Sequence, residues 1–155
     1  IGHAMVSAIE EVVFFHTIAR QSPPDLQIKG GNPLTENYSI LRPEVLTDAG
    51  GREIAEKNQG FIQRLLDYDA LIIAGQAKSH CVAWTIEDLR QEIEVVDPQL
   101  VRKVYLLADC TTPVVIPDVI DYTDAADAAF QRYAEAGMHI VRSTDSLPDL
   151  PGIAL

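Results

Sequence analysis

Residues 69–89 read DALIIAGQAKSHCVAWTIEDL, and the fold class follows from how this stretch divides. Ala70-Leu71-Ile72-Ile73-Ala74 is a short apolar run closed by Gly75, the pattern of a strand buried on both faces. From Cys81 onward, Val82, Ile86 and Leu89 recur at helical spacing, with acids at Glu87 and Asp88. The polar turn between the two halves, residues 76–80, delivers Cys81 to the start of the helix. Free backbone N–H groups and the positive end of the helix dipole favour a thiolate there. Most free cysteines are small buried hydrophobes. Strand, tight turn, cysteine and helix in that order are instead the setting of an exposed nucleophile in an α/β fold.

The flanking chain repeats the alternation. Residues 4–20 predict a helix with a broad apolar face, ended by Ser22-Pro23-Pro24-Asp25. Leu26-Gln27-Ile28-Lys29 predicts a short strand stopped by Gly30-Gly31. A long polar loop follows over 32–51, and loops of that length inside a domain usually carry function. A helix is expected over 52–68 and a helical turn around Leu100-Val101. A second buried strand is expected over 103–109, and a second irregular stretch over 110–121. Residues 123–136 predict an alanine-rich helix capped by Thr123 or Asp124 and closed by Gly137. Met138-His139-Ile140-Val141 predicts the last strand, and 148–155 a tail. Helices alternating with apolar strands imply an α/β fold with a mainly parallel central sheet and helices on both faces. Active sites of such sheets lie beyond the C-terminal strand ends, and Lys29, residues 76–81 and Asp109-Cys110 all fall at such ends.

With 155 residues, 47% of them hydrophobic, the chain reads as one domain, residues 1–155, with a real core. A net charge of −11 with only 12 Lys and Arg argues against a nucleic-acid or anionic-membrane partner. The apolar runs fall short of a membrane span, and Ile1-Gly2-His3 lacks the start of a signal peptide. Cys81 and Cys110 are expected to stay reduced, in the cytoplasm. The chain begins without Met on a helix approach, so the expectation is a fragment missing its beginning.

Among the polar residues, Lys29 alone reads as solvated. Beside a thiol, its ammonium would hold the charge of an oxyanion. Gly30-Gly31 lacks the surroundings of a phosphate loop. His80 adjoins Cys81 either as its base or as a structural or substrate-lining residue. His3, His16 and His139 have no metal-ligand spacing, and His16 beside Phe14 and Phe15 reads as a core or capping histidine. No metal or cofactor is expected. Cys110 follows a strand without a nucleophile turn. Asp109 reads as a loop-fixing acceptor of backbone N–H bonds.

Gly75-Gln76-Ala77-Lys78-Ser79-His80-Cys81-Val82, with Thr85 and then Leu107-Ala108-Asp109, resembles the isochorismatase-like cysteine hydrolases, the superfamily that includes nicotinamidases. Lys29-Gly30 and Asn37-Tyr38-Ser39 resemble their lysine loop, and the similarity runs from about residue 9 to 141. The resemblance implies a three-layer α/β/α domain in which Cys81 is the nucleophile and Lys29 the triad lysine. It also implies an oxyanion hole from the N–H groups of Ala77 and Cys81. Candidate substrate-lining residues are His80, Asn37 and Tyr38. A small amide would be cleaved through a thioester. The family aspartate lies on a first strand that nothing here matches, because Asp25 sits on the wrong side of its strand. The family's Asp-His-His metal site would likewise lie upstream. Two other readings stand beside the amide hydrolase. One is isochorismatase-type vinyl-ether hydrolysis, whose enzymes often lack the cysteine; the other is a non-catalytic module acting through oligomer contacts. A small-molecule substrate and a homo-oligomer are the expected partners.

Overall fold

Three short apolar runs assemble as one parallel sheet; only the central run loses water from both sides, while Ile72 and Ile140 on the outer two stay exposed. In the computed structural model, which describes residues 5–153, the central strand β2 (Val104–Leu107) is flanked by β1 (Leu71–Ile73) and β5 (His139–Val141). Leu71 is opposite Val104, Ile72 opposite Tyr105, and Leu106 opposite Ile140. Parallel neighbours need a crossover. Helix α3 (Ala83–Val96) supplies it between β1 and β2, and α4 (Thr123–Glu135) between β2 and β5. The chain is therefore α/β with a parallel central sheet, as the alternation predicts, though among the described residues α2 (Gln59–Asp67), α3 and α4 all pack on one face of it, and the C-terminal segment covers the other.

The strands' two-residue period sorts the core. Leu71, Val104 and Leu106 join Ile86, Leu89 and Ile93 of α3, Ala129, Phe130 and Tyr133 of α4, and Ile62 of α2. Val104, Leu106 and Ile86 are wholly buried, each side chain worth about 1.5–3 kcal/mol against exposure. Tyr105 and Val141 point the other way and meet Leu150 and Ile153 of the C-terminal segment, where the Tyr105 hydroxyl donates to the Pro151 carbonyl. Among the described residues no helix is long and apolar enough to cross a membrane.

Several elements depart from expectation, each for a local reason. Helix α1 (Ser7–Arg20) buries none of its residues. Val12, Phe14, Phe15 and Ile18 stand in solvent, so His16 is exposed rather than in a core. Residue 4 and His3 lie outside the described residues. The strand expected at 26–29 is irregular chain: among the described residues no strand pairs with it, and Leu26 and Ile28 are 72% and 84% exposed. The helix expected over 52–68 is confined to α2. Upstream, Thr47 bridges Glu53, and Asp48 Oδ1 accepts from the amides of Gly50 and Arg52, both at 2.9 Å. Those bonds commit the backbone to a turn until Asn58 opens the helix by accepting from the Phe61 amide at 3.2 Å.

The stretch over 110–121 contains a small hairpin, β3 (Val115–Ile116) and β4 (Ile120–Asp121). Its turn places Asp118 at φ 59°, a left-handed conformation that aspartate tolerates. The cap of α4 also moves, because Tyr122 takes that position and the Asp121 carboxylate accepts from the Thr123 amide at 2.7 Å. Gly137 closes α4 as expected, at φ 109°.

Candidate active site

The turn after β1 is built from its backbone outward. Gly75 leaves the strand at φ 127°, its amide donating to the Cys110 carbonyl at 3.1 Å. The Lys78 amide donates to the Thr112 carbonyl at 2.8 Å, and the Gln76 side chain meets the Thr112 hydroxyl at 3.0 Å. Two strand ends are thereby laced together where β1 and β2 finish. Ala77 then starts the helix, and its carbonyl accepts from the amides of His80 at 3.0 Å and Val82 at 3.1 Å. The first turn, Lys78–Val82, is wound as a wide π-type turn that runs straight into α3. The helix thus begins three residues before Cys81, which sits inside the first turn and not at its first position. Cys81 and Cys110 are both partly buried free thiols.

Lys78, despite its place in the motif, faces away: its ammonium pairs with Asp127 of α4 and lies 4.5 Å from the Phe130 ring centroid. Lys29 is exposed, and its Nζ donates to the Tyr38 carbonyl. It lines a groove of about 480 Å³ with Gly30, Gly31, Asn37 and Arg42, and Cys81 is not in that wall. Tyr38 bridges the two regions. Its carbonyl takes Lys29, and its ring lies 5.8 Å from His80 and 5.6 Å from Trp84. Lys29, Asn37, Tyr38 and His80 are thus joined through one loop, while the Lys29 side chain is committed to Tyr38.

His80 is the hub of an aromatic cluster. Tyr122 meets it edge-on at 4.7 Å, Trp84 lies nearly parallel at 6.4 Å, and Nδ1 is 2.8 Å from the Ser79 hydroxyl. With Ser79, Trp84 and Tyr122 it lines a cavity of about 800 Å³ between α3 and α4. The loop that carries Lys29 is strapped to α3 beside this cavity. The Ile40 amide donates to Thr85 Oγ1 at 3.3 Å, Trp84 Nε1 to Glu44 at 3.2 Å, and Arg42 Nε lies 3.2 Å from Asp88. Burial pushes the Asp88 carboxyl up, with the Ser39 hydroxyl and then the Arg42 charge pulling against it.

Asp109 is the loop-fixing acceptor that its strand-end position predicts, though it is exposed. It takes the Ser143 amide at 2.9 Å and the Ser143 hydroxyl at 2.8 Å. These bonds, the backbone one first, hold its carboxyl below the ordinary range. His139 is structural, its Nε2 2.9 Å from the Arg102 carbonyl and its ring stacked on Tyr105 at 4.8 Å. Among the described residues no group of three or more His, Cys, Asp or Glu is placed to hold a metal ion.

Sequence reasoning missed Ser79, Trp84 and Tyr122. Trp84 had a signal, since residues four apart share a helix face and His80 precedes it by four. Tyr122 had none, because it arrives from the hairpin. No protein family description and no curated protein matches the chain. Among solved structures, it is similar to a nicotinamidase/pyrazinamidase from Acinetobacter baumanii, at 17% identity and a TM-score of 0.41 over 72% of this chain, and it spans 44% of that protein's length.

Proposed function

We propose that the chain is a cysteine hydrolase that cleaves a small amide at its C–N bond through Cys81. The observation that carries this reading is the placement of Cys81 within the first helical turn after strand β1, at the C-terminal end of a parallel sheet. The Cys81 sulfur attacks the carbonyl carbon, forming C–S while the carbonyl oxygen takes up negative charge. The backbone N–H groups of Ala77 and Cys81 receive that oxyanion at the positive end of the helix. Collapse breaks the C–N bond, the proton given up by the thiol leaves with the amine, and water then cleaves the thioester to acid and free thiol. Lys29 is the residue proposed to supply the positive charge of the set, which requires its ammonium to leave the Tyr38 carbonyl and turn toward Cys81. No aspartate of this chain is assigned to complete it.

Cys81→Ala in the full-length protein tests the reading against a panel of small primary amides, nicotinamide among them. Turnover is expected to vanish while the urea midpoint stays near that of the parent; retained turnover sinks the nucleophile. A second reading, a non-catalytic module that acts by self-association, draws on the exposed apolar residues of α1. It predicts no turnover in the parent and an oligomer that dissociates in Phe14→Glu/Phe15→Glu.

A further inference from the structure

We infer that Ser79 is a positioning residue that holds His80 in its Nε2–H form, so that His80 presents a hydrogen-bond donor to the adjoining cavity and is not the base for Cys81. Ser79 is 9% exposed. Its Oγ accepts from the Val114 amide at 3.0 Å and lies 2.8 Å from His80 Nδ1. Among the described residues its hydroxyl proton has no other acceptor than Nδ1, and leaving a buried O–H unpaired costs about 1–3 kcal/mol. The hydroxyl therefore donates to Nδ1. A neutral imidazole that accepts at Nδ1 carries its proton on Nε2.

Ring packing holds that arrangement in place, with Tyr122 against the imidazole edge-on and Tyr38 and Trp84 beside it. Val114 lies at the root of the hairpin, where its carbonyl accepts from the Tyr122 amide at 3.1 Å, so one short segment positions both Ser79 and the ring that braces His80. With Nδ1 accepting and Nε2 protonated, no lone pair is left to take a proton from Cys81. Nε2–H has no partner among the described residues, and His80 lines the 800 Å³ cavity whose wall does not include Cys81. The group recognised there is a hydrogen-bond acceptor, a carbonyl or carboxylate oxygen of a small ligand. Exclusion of His80 as a base rests on the hydrolase reading; the tautomer does not.

The test is long-range 1H–15N NMR of the 15N-labelled protein at a pH where His80 is neutral. The expected spectrum has a proton-bearing Nε2 and a pyridine-like Nδ1. Ser79→Ala should give a mixture of tautomers, and Ser79→Thr, which restores a hydroxyl, should return the parent pattern. A proton on Nδ1 in the parent, or a Ser79→Ala spectrum identical to it, overturns the assignment. Should Ser79→Ala fail to fold, the parent and Ser79→Thr spectra still decide. His80→Gln keeps an N–H near the Nε2 position and should leave the alkylation rate of Cys81 unchanged. A loss of about a hundredfold, the scale of a removed general base, would make His80 the base after all. If Cys81→Ala retains turnover, the hydrolase reading fails while the tautomer result stands.

Discussion

Replacing Tyr133 by phenylalanine should reverse the order of stability between neutral and alkaline pH. The Tyr133 hydroxyl is buried and donates to the Ala83 carbonyl at 2.9 Å, which ties α4 to the first residue of α3, two positions after Cys81. Removing that bond costs about 1 kcal/mol at neutral pH, or about 0.5 M in the urea midpoint if the slope is near 2 kcal/mol per molar. Burial, and secondarily the Glu87 charge, push the Tyr133 hydroxyl from 10.0 up to about 12. Folding thus favours the protonated phenol. That contribution is complete below the unfolded value of 10.0 and is lost as pH rises through the folded value of about 12. Two units correspond to about 2.7 kcal/mol, of which about 2 kcal/mol is gone by about pH 11.5. The phenylalanine variant has no such group to titrate. It should be the less stable protein at pH 7 by about 1 kcal/mol and the more stable at about pH 11.5 by a similar amount. Urea titrations of both proteins at the two pH values read this directly, because other alkaline titrations are common to both. Parallel pH profiles would refute the reasoning and mean that the hydroxyl is hydrated in the native state.

Leu106→Ala, on the central strand and wholly buried, should destabilise by about 2–5 kcal/mol, because ladders on both sides keep β2 from collapsing into the cavity; a urea midpoint near the parent's would mean that this face is not packed. Gly137→Ala should cost at least about 1 kcal/mol, since φ is 109° and the added Cβ would meet Val101 Cγ1 at 3.0 Å; an unchanged melting temperature contradicts it. Asp109 has a lowered carboxyl, so its contribution is present above the unfolded value of 3.8 and is lost as pH falls through its lower folded value. Asp109→Asn should therefore narrow the gap between melting temperatures at pH 6 and pH 3, and an equal gap in both proteins counts against the Ser143 bonds as its cause.

The parts that were legible in the chain were those governed by local period. The apolar runs around Leu71, Val104 and Ile140 read as strands, the spacing Val82, Ile86, Leu89 read as a helix, and Asp109 read as a loop acceptor. Each signal lies within a few residues of the element it describes. Leu26 to Lys29 has the composition of a strand too, yet strandhood is a property of a pair, and among the described residues no neighbour comes to it. Residues 52–58 are helix-compatible but spend their hydrogen bonds on Asp48 and Leu46. Helix α1 has an apolar pattern that predicts burial, and its surroundings among the described residues do not provide it.

The same division runs through the candidate site. Local sequence was sufficient to put Cys81 in a strand-to-helix turn, because the apolar run, the polar turn and the helical spacing are contiguous. Lys29, Asn37 and Tyr38 entered through a resemblance to a known lysine loop, not through any local period. Tertiary structure alone decided what surrounds them: Tyr38 takes the Lys29 ammonium, Lys78 turns to Asp127, and Ser79 meets Val114 across 35 positions. It also placed Tyr122 against His80 by way of a hairpin whose turn rests on Asp118. Contacts of that range are set by how crossovers return the chain to the sheet, and no window of sequence contains both partners.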